Sequence, residues 1–74
     1  MKTPLTPKQL EIAKLLASGL IAKEVAEQLH YSERHITNQV TEIHRLLRVK
    51  NRVELAHLAL AKGWIKNGFK KIQV

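Results

Sequence analysis

Apolar residues recur along this chain at the three- and four-residue spacing of amphipathic helices, in segments separated by turn and cap residues. Thr6-Pro7 reads as an N-cap followed by proline at the first helical position, where its missing N–H costs nothing. Leu10, Ile12, Ala13, Leu15, Leu16 and Ala17 follow with helical spacing, and Gly19 is a natural stop. A second helix is predicted from about Ala22 to Leu29, with Val25, Ala26 and Leu29 inward. Its start is weakly signalled, because Ile21 stands where a capping Ser or Asp is expected. His30-Tyr31 forms the break, and Ser32 offers an oxygen to the first N–H groups of a third helix reaching about Leu47. Glu33 complements that helix's positive end.

In the third helix Ile36, Val40, Ile43 and Leu47 form the buried stripe. The opposite face carries Arg34, Thr37, Asn38, Thr41 and Arg45, with no long apolar or acidic side chain among them. Asn51-x-x-Glu54 resembles a capping box opening a fourth helix, which runs to about Lys62 and ends at Gly63. Trp64 and Ile65 are expected to fold back onto the core. No strand-like alternation competes over a useful length, so the fold class is all-α, a four-helix domain. One domain is expected over 1–74, with a core at about 4–65 and a basic tail at 66–74.

Composition narrows the picture. Hydrophobic residues make up 45% of 74, yet only one Trp, one Tyr and one Phe are among them, so the core rests on Leu, Ile, Val and Ala. A core of this size supplies roughly 3–5 kcal/mol, which leaves self-association as a source of extra stability. There are no cysteines, excluding disulfides and thiolate-zinc sites. No apolar run approaches the ~20 residues of a membrane span, and nothing after Met1-Lys2-Thr3-Pro4 resembles a signal-peptide core. A cytoplasmic, nucleoid-associated protein with no membrane partner is expected.

The net charge is +7 and its distribution is one-sided. Residues 1–44 hold five Lys/Arg against five Glu, whereas Arg45, Arg48, Lys50, Arg52, Lys62, Lys66, Lys70 and Lys71 face only Glu54 in the remainder. Solubility alone accounts for some basic charge, but the clustering points to a polyanion.

Two short helices joined by about three residues, the second polar on one face, form the helix-turn-helix arrangement. A recognition helix must enter a major groove ~12 Å wide and present polar or small residues to base edges, with cations toward the phosphates. Thr37, Asn38 and Thr41 suit the bases: Asn38 could bond an adenine in bidentate fashion, and either Thr could touch a thymine methyl. Arg34, Arg45, Arg48 and Lys50 suit the phosphates. Many small bundles also have a polar helix face, so the pattern alone leaves that reading open.

Leu5-Thr6-Pro7, Gly19-Leu20, Lys23-Glu24-Val25-Ala26, Leu29, Ser32-Glu33-Arg34 and Val49-Lys50-Asn51-Arg52, in this order and spacing, resemble the LuxR/GerE-type helix-turn-helix family over about residues 4–65. The resemblance implies a four-helix DNA-binding domain that acts as a dimer through the fourth helix. It places base contacts on Thr37, Asn38 and Thr41, phosphate contacts on Lys23, Arg34 and His35 with Ser32 beside them, and a structural role on Glu11. The chain departs from the family's Thr-Val-Lys-x-His pattern across 35 to 39, having His35-Ile36-Thr37-Asn38-Gln39. Loss of the basic residue at 37 weakens nonspecific attraction and changes the base read. Ile21 replaces a polar cap, and His44 and Leu46 reverse the expected polarity.

Val53, His57, Leu58 and Ala61 lie toward one side of the fourth helix, either as a dimer patch or as part of a deeply buried helix; Ala59 and Ala61 would allow close approach of a partner. Leu46 is either an ordinary exposed leucine or a partner contact. The basic tail is a solvated end or an arm touching phosphates. The four histidines have no spacing that suits a metal, and no nucleophile–base pair or phosphate-cradling loop exists, so neither enzyme nor cofactor is expected.

The leading expectation is a stand-alone, bacterial-type regulator of transcription that binds double-stranded DNA as a homodimer; Met1 and the tail favour a complete short protein. Another regulator or RNA polymerase is a further possible partner. The rival expectation is an interaction module that binds another regulator without specific DNA binding of its own.

Overall fold

A computed structural model describes residues 3–65, in which the helices are α1 (Pro7–Ala17), α2 (Ala22–Leu29), α3 (Glu33–Leu47) and α4 (Arg52–Lys62). The described residues contain no strand, as the all-α reading requires. The basic tail expected at 66–74 lies outside them.

The helix ends follow from local hydrogen bonding. At α1, Thr6 Oγ1 accepts from the Gln9 N–H at 3.1 Å while the Thr6 N–H donates to Gln9 Oε1 at 3.0 Å, closing a reciprocal cap. The helix ends through Gly19 at φ 111°, a conformation open to glycine. Ile21 has no oxygen to cap α2, and only the return half forms, the Ile21 N–H donating to Glu24 Oε1 at 3.0 Å. Ser32 Oγ accepts from the His35 N–H at 3.0 Å and opens α3. Asn51 Oδ1 accepts from the Glu54 N–H at 2.9 Å. The Glu54 carboxylate then reaches one residue further than a capping box requires, accepting from the Lys50 N–H at 2.8 Å.

Both α2 and α3 end on a non-glycine residue in the left-handed region, His30 at φ 64° and Arg48 at φ 58°. Each lets the next N–H return to the helix: Tyr31 donates to the Ala26 carbonyl at 2.9 Å, and Val49 to that of His44 at 3.0 Å. The left-handed backbone costs each residue about 1–2 kcal/mol, offset by satisfied carbonyls and the turn it permits.

The core is aliphatic. Leu5, Ile12, Ala13, Leu16, Val25, Ala26, Ile36, Ile43 and Leu55 are buried together, with Leu29, Val40 and Leu47 half-buried against them. A second, small cluster of Ala17, Ala56 and Ala59 joins α1 to α4, and Trp64 and Ile65 fold over it as expected. Ala59 is fully buried inside this contact, so it is not available to a partner helix. Arg52 is also turned inward: its guanidinium donates to the Leu16 carbonyl at 3.1 Å and to that of Leu20. It thus adds a second donor to the Leu16 carbonyl in the last turn of α1, which also accepts from the Gly19 N–H at 3.0 Å, and a donor to the Leu20 carbonyl in the loop beyond, where a cation also suits the helix dipole. The fold spends this charge on itself.

Candidate nucleic-acid interface

The turn His30–Ser32 sets α3 against α2, and the buried Ile36 and Ile43 fix which side of α3 faces outward. Arg34, Asn38, Thr41 and Arg45 are exposed along that side, with Thr37 exposed at its edge. Every sequence-predicted phosphate residue is exposed too: Lys23 in the first turn of α2, Ser32 and His35 at the start of α3, Arg48 at its end and Lys50 beyond it.

Hydrogen bonding limits what the two threonines can offer. Thr37 Oγ1 donates to the Glu33 carbonyl at 2.6 Å, and Thr41 Oγ1 to the Thr37 carbonyl at 3.2 Å. Their protons are spent on the helix backbone, so they present methyl groups and oxygen lone pairs. Those suit a thymine methyl or an amino group of adenine or cytosine. Asn38 has no partner among the described residues, and its amide keeps both donor and acceptor ends free.

Two of the expected phosphate residues stand differently from the rest. Arg45 is bridged by Glu42, donating from Nε at 3.2 Å and through a second, short bond. Glu42 therefore swings onto a face that reads as acid-free in sequence, since a residue three positions away can reach along the helix. Its carboxyl is held below the usual range by the hydrogen bonds from Arg45, and the guanidinium is raised in return. Both side chains are exposed, and a phosphate must compete with Glu42 for the cation. Arg48 lines a cleft of about 230 Å³ with Thr3, Pro4, Leu46, Leu58 and Trp64, away from the outer side of α3 that carries Asn38 and Thr41.

One cation was not expected there. Lys8, on α1, donates from Nζ to Tyr31 Oη and sits 5.0 Å from the centre of that ring. The hydrogen bond raises its pKa. Tyr31 in turn lies 4.6 Å from the His35 ring, so Lys8, Tyr31 and His35 form a column at the start of α3. No spacing in the sequence signals a contact across 23 positions.

His44 stands apart from this surface. It is half-buried, and its Nε2 is buried without a hydrogen-bond partner among the described residues. Burial lowers its pKa. It lines a cleft of about 260 Å³ beneath α3 with Leu16, Ala22, Thr37, Val40 and Arg52.

On α4, Val53 is 49% and Leu60 40% exposed, and with His57 and Ala61 they recur at helical spacing as one outer stripe. Leu58 is half-buried on another side, over the cleft it shares with Leu46. The apolar patch thus contains Leu60, which sequence reading missed, and not Leu58. Leu46 lines the cleft instead of standing free.

No helix among the described residues is long and apolar enough to cross a membrane. No solved structure matches the chain significantly. Among curated proteins, it is 39% identical over 64 residues to the uncharacterized transcriptional regulatory protein YvfU of Bacillus subtilis, covering 86% of this chain and 32% of that one. It is 36% identical over 63 residues to the transcriptional regulatory protein DesR of the same organism, covering 85% and 32%. The transcriptional activator protein ExaE of Pseudomonas putida is 32% identical over 62 residues, covering 84% and 29%. The chain therefore spans about a third of the length of these relatives. The family model described as bacterial regulatory proteins, luxR family, matches residues 3–59 of the 74, and the chain belongs to that family.

Proposed function

We propose that this domain binds double-stranded DNA sequence-specifically, with α3 in the major groove, and regulates transcription as a homodimer joined through α4. The observation that carries the reading is the outer side of α3. Thr37, Asn38 and Thr41 are exposed with Arg34 and Arg45 at either end, on a helix held by a three-residue turn after α2. Small polar residues that enter a groove between flanking cations are what base reading requires. Lys23, Ser32, His35 and Lys50 serve as phosphate contacts beside the groove. Val53, His57, Leu60 and Ala61 supply the dimer contact, and pairing of two copies gives a two-fold-related DNA site.

Binding to a random duplex library, with selection and sequencing at two salt concentrations, tests this. A two-fold-symmetric motif retained at the higher salt is expected. Binding that is uniform across sequences and erased by salt would reject the base-reading role.

The Glu42–Arg45 bridge favours a second reading, because it leaves the groove-facing side with one uncommitted guanidinium, Arg34. In that reading the domain acts on another regulator through its protein surfaces. Replacing Thr37, Asn38 and Thr41 together with Ala separates the two: regulation abolished with helicity intact supports DNA reading, and regulation preserved supports the protein partner.

A further inference from the structure

Gln39 sits on α3 directly after Asn38, half-buried at the flank where α3 meets α1. Its orientation can be followed from a group of fixed polarity. The Thr6 backbone N–H can only donate, and it donates to Gln9 Oε1 at 3.0 Å. Gln9 must therefore turn its amide nitrogen the other way, where it donates to Gln39 Oε1 at 3.2 Å. An amide nitrogen cannot accept, so Gln39 must keep its oxygen toward α1 and its NH2 group directed elsewhere. No described residue accepts from that NH2 group. The two ends of an amide have the same shape, and here the hydrogen-bond network alone decides between them.

We infer that Gln9 is a positioning residue that holds Gln39 as a donor to a DNA phosphate oxygen beside the groove. The inference rests on the proposed seating of α3. Phosphate is favoured over a base because Gln39 is on the flank of α3, one turn after His35, while Asn38 and Thr41 occupy the groove-facing side. Phosphate oxygens flank the groove and only accept, so the orientation of the Gln39 amide decides between attraction and repulsion. The start of α1 thus determines the polarity of a contact made by α3.

Gln9→Glu separates this role from stability. A carboxylate still accepts from the Thr6 N–H, and glutamate suits this position of a capping box, so thermal stability should hold or rise. Its second oxygen, however, only accepts. Gln39 must then turn its NH2 group toward α1 and present its oxygen to the phosphate.

Affinity for the selected duplex is measured by fluorescence anisotropy near physiological salt for the wild type, Q39M, Q9E and the double variant. Q39M and Q9E are each expected to bind at least about tenfold more weakly, the lower end of the range of one lost hydrogen bond to a charged group. In the Q39M background, Q9E should cost less than about twofold, because it acts through the amide already removed. A methylphosphonate scan should reveal one backbone position whose substitution weakens the wild type but not Q39M. Unchanged affinity in Q39M, or a Q9E loss that persists in full without Gln39, overturns the positioning role alone. Failure of the wild type to select any motif overturns the seating of α3, and this contact with it.

Discussion

Replacing Arg52 with methionine should destabilise the domain severely while leaving the salt dependence of DNA binding unchanged. The guanidinium donates to the carbonyls of Leu16 and Leu20, 36 and 32 positions away, and so ties α4 to the last turn of α1 and to the loop that follows it. Methionine keeps much of the apolar stem and removes both bonds. A hydrogen bond from a charged group is worth about 1.5–3 kcal/mol, and the half-exposed setting lets water recover part of the loss, so about 2–4 kcal/mol is expected. A core of this size supplies only roughly 3–5 kcal/mol, so the variant should be close to unfolding at room temperature. For a domain this small each kcal/mol shifts Tm by about 4–8 °C, which places the fall on the order of 10–30 °C. Thermal unfolding followed by circular dichroism measures it. Arg52→Lys should fall between wild type and methionine, since one ammonium cannot reproduce the fork. A phosphate-contacting arginine behaves in the opposite way: its loss reduces the slope of log affinity against log salt by about one and leaves Tm nearly unchanged. A methionine variant that melts within about 2 °C of the wild type would refute the structural assignment of this charge.

Three further outcomes are expected. The pKa of His44 is lowered in the fold by burial, so the unfolded chain takes up its proton first as pH falls below the ordinary value of 6.5. Its contribution is therefore fully present above that value and is lost as pH drops through the lower folded value. His44→Leu should flatten the stability profile in this window, and an unchanged acid-side slope in urea titrations would show that another group carries it. His30→Gly should raise stability by about 0.5–1 kcal/mol, because the φ of 64° strains a side chain and not glycine; an equal or lower midpoint in urea would argue against strain there. Val53→Glu combined with Leu60→Glu should convert the proposed dimer to monomer and weaken binding to a two-fold site, while helicity is retained. Sedimentation that shows the same mass for wild type and variant would remove α4 from the interface.

The helices themselves, and the residues that bound them, are legible in the linear chain because both are set by neighbours within about four positions. Thr6, Ser32 and Asn51 each cap a helix through the N–H three residues on, and Ile36 and Ile43 face the core as their spacing predicts. Net charge and its asymmetry are also properties of composition, as is the polar character of the outer side of α3. What a charge is used for is not. Arg52 and Arg48 count equally in the basic half of the chain, yet packing of α4 on α1 turns one, half-buried, onto carbonyls and leaves the other over a cleft. Periodicity places Leu58 and Ala59 within reach of a partner, but the α1–α4 contact takes Ala59 and turns Leu58 to another side. The Lys8–Tyr31 and Gln9–Gln39 contacts join residues 23 and 30 positions apart, and neither spacing has any local signature. Local hydrogen bonding and hydrophobic period decide where a helix starts and which stripe it buries. The crossing of one helix over another decides which long polar side chains meet, and through them which groups remain for DNA.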